Sequence, residues 1–191
     1  EAILIGHEGH DEVLGTMGEA PSKITLVTGV DDVAKLEFPA HAEVAYSTQT
    51  TLSVDETAEI VAALKARFPQ LIEPRKSDIC YATQNRQDAV KALVDEGIDH
   101  LLVVGSQSSS NSRRLCEVAL NLGVSANLID GVEDLDLNSL GGKENLGLTA
   151  GASAPEHLVQ AVVKALAGAG WTPEEIVTLE ENVKFQMPAG L

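Results

Sequence analysis

The chain has 191 residues, 44% of them hydrophobic but only 3% aromatic, and a formal net charge of −16. That length builds one or two domains around an aliphatic core, while the charge opposes binding to nucleic acid or to an anionic membrane surface. No apolar run in the sequence approaches the ~20 residues of a membrane span, and no charged-then-apolar leader opens it, so a soluble, intracellular protein is expected.

The first residue is Glu1 rather than methionine, and Ala2 to Gly6 (AILIG) already reads as a core strand with no helix before it, so a fragment or a processed chain is expected. GHEGHDE (6 to 12) follows. His7 and His10 are three residues apart, whereas a zinc helix places its histidines four apart around a glutamate. His10 and Glu12 on this loop suit an anion donor and a proton donor, with a solvated acidic loop as the plainer alternative.

Strand signals recur at KITLVTG (23 to 29) and EVAYST (43 to 48). TQTTLS (48 to 53) then offers surplus hydroxyls before a helix in which Val54, Ala58, Val61, Leu64 and Phe68 recur at helical period, with Ser53 or Thr51 as cap and Glu56 placed for a capping box. The breaker-rich stretch PQLIEPRK (69 to 76) is the best domain boundary.

Beyond it, Cys80 lies in DICYATQNRQ just before a helix, where the helix amino-terminus favours a thiolate. One thiolate holds neither zinc nor a cluster alone, so any partners lie elsewhere. Cys116 sits among helical apolar residues and reads as core; two cysteines make no disulfide framework.

HLLVVG (100 to 105) is apolar on both faces, as buried parallel strands are, and it runs into Ser106, Ser108, Ser109, Ser110 and Asn111. A helix cap needs one such residue, so five of them predict an anion site at a helix amino-terminus. ANLID (126 to 130) and NLGLTAG (145 to 151) complete the strands. TAGASAP (149 to 155) lacks the last glycine of a nucleophile elbow, leaving Ser153 as a hydroxyl donor at the start of a helix that contains Leu158, Val162 and Leu166.

Alternation of strand and helix predicts an α/β protein with two similar parallel-sheet domains, residues 1–73 and 74–170, and a C-terminal tail, residues 171–191. EIVTLE and VKFQM in that tail read as a short hairpin. Every polar cluster follows a strand, so loops at one edge of both sheets are expected to face one cleft.

GHEGHDEVLGTMG (6 to 18), TQTTLSVDET (48 to 57), PRKSDICYATQNRQ (74 to 87), GSQSSSNSRRL (105 to 115) and TAGASAP (149 to 155), in this order and spacing, resemble the LytB/IspH family of 4-hydroxy-3-methylbut-2-enyl diphosphate reductases. The likeness runs the length of the chain and covers about the last two thirds of a family member, whose three similar α/β domains surround a 4Fe-4S cluster held by three cysteines. It implies Cys80 as the third cluster ligand, Glu12 as proton donor, and Thr50 beside the substrate hydroxyl. His10, Ser109, Ser110, Asn111 and Ser153 would bind the diphosphate, with His10 protonated when substrate is bound. The other two ligands are expected in an amino-terminal domain outside this chain, which alone would then be inactive. Asp11 departs from the proline common there. The implied reaction reduces an allylic alcohol diphosphate by two electrons and expels water, giving isopentenyl and dimethylallyl diphosphates, in the non-mevalonate pathway of isoprenoid biosynthesis. A ferredoxin or flavodoxin as electron donor and a bacterial cytoplasm or plastid as compartment follow from the same likeness. The alternative is an iron-free phosphosugar-binding isomerase-type module, which uses a serine-rich loop but gives no reason for DICYATQNRQ or TQTT.

Overall fold

The computed structural model describes residues 1–39 and 41–179. All six expected strands are present: β1 (Ala2–Ile5), β2 (Ile24–Val27), β3 (Ala45–Thr48), β4 (His100–Val104), β5 (Ser125–Ile129) and β6 (Leu146–Ala150). They form two parallel three-stranded sheets of the same design, ordered β2-β1-β3 and β5-β4-β6. In each, the first strand of the unit lies at the centre, pairing Ile3 with Thr25 and Tyr46, and Leu102 with Asn127 and Leu148.

The helices are α1 (Asp11–Glu19), α2 (Val30–Lys35), α3 (Val54–Arg67), α4 (Tyr81–Asp95), α5 (Ser110–Asn121) and α6 (Glu156–Gly168), with a 3-10 turn at Val132–Asp134. β4 is buried on both faces, as its composition predicts. Leu101 and Val103 join Val90, Leu115 and Val118 on one side, while Leu102 and Val104 join Ile129, Leu140 and Val162 on the other. In the first unit Ile3, Ile5, Val27, Ile60, Leu64 and Phe68 form the corresponding core.

Two sequence expectations need amendment. Glu12 lies on a helix rather than a loop, because Asp11 opens α1 directly after His10; only Val13 of that nine-residue helix is buried, so it carries no apolar stripe to read. The boundary stretch 69 to 76 also touches the first sheet. Ile72 bridges Ala45 in parallel, with its amide on the Val44 carbonyl at 2.8 Å, and Ile79 still packs in the first core. Finally, 175–179 of the expected EIVTLE strand forms no strand among the described residues, and Val177 and Leu179 are exposed there. VKFQM lies outside the described residues.

Glycines end the central strands for a packing reason. A Cβ on Gly6 would stand 2.6 Å from Val13 Cγ2, and one on Gly105 2.2 Å from Ser112 Oγ. Only a residue without a side chain lets the following helix start this close to the strand end.

Candidate functional site

In both sheets the connection from the central strand leads to one neighbour while the third strand lies on the other side. The topological switch points therefore fall between β1 and β3 and between β4 and β6. The loops at these two points carry the residues that the sequence singles out.

At the first, β1 delivers His10 and Glu12 and β3 delivers Thr50. His10 caps α1: its Nδ1 accepts the Glu12 amide at 3.2 Å. Thr50 donates its amide to Glu12 Oε1 at 3.0 Å and Oε2 at 3.2 Å, and its hydroxyl to Oε2 at 3.0 Å. Gln49, buried beneath them, accepts the His7 amide on Oε1 and donates Nε2 to Thr51 Oγ1, both at 3.0 Å. Ser53 is the cap of α3 and receives the Glu56 amide at 3.3 Å. The capping box is not reciprocal, because the Glu56 carboxylate pairs with Arg114 instead.

At the second, Ser109 is the cap of α5, its hydroxyl accepting the Ser112 amide at 3.3 Å. Ser112 is buried in a cradle between strand-end glycines; a Cβ on Gly151 would lie 2.1 Å from its hydroxyl. Asn111, 6% exposed, has neither side-chain Oδ1 nor Nδ2 partnered. A buried carboxamide without partners costs several kcal/mol in principle, about 1–3 for each unmet group, and such a group marks a place where a ligand or water completes the structure. Ser153 is exposed in the turn before Pro155, the N-cap of α6. Ser106 and Ser108 bond to each other at 2.9 Å and are exposed.

The two loops meet: His10 Nε2 lies 2.7 Å from Ser110 Oγ across 100 residues of sequence. Since Nδ1 is occupied as an acceptor, the ring is the Nε2–H tautomer and donates to Ser110. Cys80 enters the same region as the N-cap of α4. Its thiol is exposed and makes no capping bond, and its amide donates to the Thr50 carbonyl at 3.0 Å. Cys116 packs against the second core, where burial, and then Glu117, push its thiol up to about 11.

Charge is arranged to suit an anion. In a chain of net charge −16, α1, α2, α3 and α6 all carry acidic residues in their first turns, whereas α4 and α5, whose amino-termini serve Cys80 and Ser109, carry none. No group of three or more histidine, cysteine, aspartate or glutamate side chains is placed to hold a metal among the described residues.

Several residues of this site carry no individual assignment from the sequence. Gln87, fully buried on α4, donates Nε2 to the Leu52 carbonyl at 2.8 Å and accepts the Val54 amide at 3.0 Å, gripping the chain that follows Thr50. Arg114, 7% exposed, joins Glu56, Glu117 and His7. Helical spacing was the available signal, since Ser110 and Arg114 are four apart and share a face.

Residues 1–167 match a family model described as LytB protein. The chain is 54% identical over 192 residues to the 4-hydroxy-3-methylbut-2-enyl diphosphate reductase of Ralstonia nicotianae and 55% identical to that of Bordetella pertussis. Each comparison takes in 100% of this chain and 59% of the relative. A solved structure, the E-1-hydroxy-2-methyl-but-2-enyl-4-diphosphate reductase from Plasmodium falciparum, superposes with a TM-score of 0.90 at 40% identity, over 98% of this chain and 59% of that one. The chain therefore spans about three fifths of the length of these relatives.

Proposed function

This chain belongs to the LytB protein family, and from that premise we propose that it carries the diphosphate-binding and proton-donating part of a reductase acting on 4-hydroxy-3-methylbut-2-enyl diphosphate. The overall reaction takes up two electrons and two protons, breaks the allylic C–O bond with loss of water, and forms a C–H bond, giving isopentenyl and dimethylallyl diphosphates. One observation carries the reading: the anion loop of the second unit and the proton-bearing loop of the first converge, His10 on Ser110 at 2.7 Å.

Ser109, Ser110, Asn111 and Ser153 hold the diphosphate, with His10 Nε2–H donating from the other side. Asn111 gains the partners it lacks. The amino-terminus of α5 adds unpaired N–H groups and the positive end of its dipole. Glu12 delivers a proton to the leaving hydroxyl, and Thr50, bonded to its carboxylate, orients both. The paired loops hold hydroxyl and diphosphate ends at fixed separation, the positioning that makes proton delivery effective.

Cys80 fits as one thiolate ligand of a 4Fe-4S cluster, with an exposed thiol free of capping duty at a helix amino-terminus that bears no carboxylates. When bound, the cluster supplies the electrons. We place its remaining cysteine ligands on the portion of the relatives beyond this chain, and propose a ferredoxin or flavodoxin as reductant. No helix of the described residues is long and apolar enough to cross a membrane; a bacterial cytoplasm or a plastid is the proposed setting. Residues 1–73 and 74–170 are proposed as separate domains followed by a tail. The alternative, an iron-free phosphosugar module, gives no reason for an exposed Cys80 thiol at the start of α4.

The test is iron and acid-labile sulfide after anaerobic reconstitution, on this chain alone and joined to the amino-terminal segment its relatives carry. Cluster formed only in the longer protein and lost in Cys80→Ser supports the reading. No cluster in either sample overturns it.

A further inference from the structure

We propose that Arg114 and His7 form a positioning pair that holds the two halves of the anion site in register, an inference that rests on reading Ser109 to Asn111 as a diphosphate site. Arg114 Nη2 donates to His7 Nε2 at 3.0 Å. Its Nη1 bonds Glu56 Oε2 at 3.1 Å and Glu117 Oε2 at 2.7 Å. The guanidinium is buried and planar, so its donors meet these acceptors in one orientation.

Ser110 and Arg114 lie four residues apart on one face of α5, and His7 and His10 three apart on the loop after β1. The bonds Ser110–His10 and Arg114–His7 are therefore two rungs between the same pair of elements. The loop between the histidines is itself closed, with the His10 amide on the His7 carbonyl at 3.2 Å, and Gln49 fixes the His7 amide. A shift of α5 along or away from the loop breaks the Arg114 rung as well as the Ser110 rung. Arg114 touches the ligand at no point in this scheme. It acts through the loop, keeping His10 within reach of an anion seated on Ser110.

His7 is exposed, so it can be replaced without disturbing the core. The probe is inorganic diphosphate, titrated calorimetrically into this chain. His7→Ala is expected to weaken binding on the order of tenfold, about the value of one charge-assisted hydrogen bond, while His7→Gln, whose amide oxygen again accepts from Arg114, restores it. In a Ser110→Ala background His7→Ala changes nothing further, since the rung it supports is already gone. Arg114→Met, checked by its thermal midpoint to be folded, repeats the His7→Ala result. Unchanged affinity in His7→Ala, no rescue by His7→Gln, or an equal loss in the Ser110→Ala background each overturns the pair. Absence of binding by the unaltered chain overturns the diphosphate site itself, a separate outcome.

Discussion

Thr50 gives both of its donors to Glu12, the amide at 3.0 Å and the hydroxyl at 3.0 Å, so a threonine of one switch-point loop fixes the carboxylate of another. The amide has no other way to act; the hydroxyl can rotate from Glu12 toward a bound alcohol. Glu12→Gln keeps the size of the side chain and loses the carboxyl proton that can be transferred. In the complete enzyme turnover is expected to fall roughly 10²- to 10⁴-fold, the usual worth of general acid catalysis, with inorganic diphosphate affinity retained. Steady-state rates beside calorimetry check this; full turnover in the variant removes Glu12 from the proposed role.

Ser109 has two tasks that one substitution separates by readout. As the cap of α5 it accepts the Ser112 amide, so Ser109→Ala costs about 1 kcal/mol of stability. As an anion donor it contributes about 1.5–3 kcal/mol to diphosphate binding, the range for a hydrogen bond to a charged group. Denaturant midpoint and titration calorimetry read the two losses independently. A stability loss with unchanged affinity leaves Ser109 a cap only.

The cradle around Ser112 predicts an asymmetry between two glycines. A Cβ on Gly151 meets chiefly the Ser112 hydroxyl, with Ser112 Cβ at 3.4 Å, while one on Gly105 stands 2.9 Å from Ser112 Cβ as well. Both alanine variants lose stability, about 1–3 kcal/mol for such overpacking. Ser112→Ala relieves Gly151→Ala and only partly relieves Gly105→Ala. Equal rescue of both, in urea unfolding, would show that α5 moves as a whole.

His100 predicts how the fold responds to acid. It is buried at the start of β4, with Nδ1 2.7 Å from Ser125 Oγ and Nε2 without a partner. Burial lowers its pKa below the ordinary 6.5, and Lys143 adds to the shift. The unfolded chain then binds this proton at a higher pH than the folded one, so stability falls as pH drops from 6.5 toward the depressed folded value. His100→Gln is expected to flatten the stability curve in that window. A slope unchanged by the substitution assigns the acid sensitivity elsewhere.

Much of this was legible in the chain. Val54 to Phe68 shows its helix because Leu64 and Phe68 face a core at helical spacing, and HLLVVG shows a strand buried on both sides because no polar residue interrupts it. α1 was not legible, since a helix that buries Val13 alone has no stripe, and histidine is an uncommon cap. Arg114 and Gln87 were overlooked for a different reason. A polar residue on a helix reads as solvent-facing unless its burial is known, and burial depends on what the other unit places against it.

The sequence by itself determined the two α/β units and the polar character of each strand-end loop, because periodicity and turn chemistry are local and act within a few residues. Only the tertiary structure decided which loops meet. His10 and Ser110 are 100 residues apart, and their contact follows from two sheets having the same strand order and presenting their switch points to each other. That structure also decided that His10 caps α1 through Nδ1 while Nε2 faces Ser110, and that Asn111 is buried without side-chain partners, since both depend on neighbours brought in by the packing of α5 against strand-end glycines.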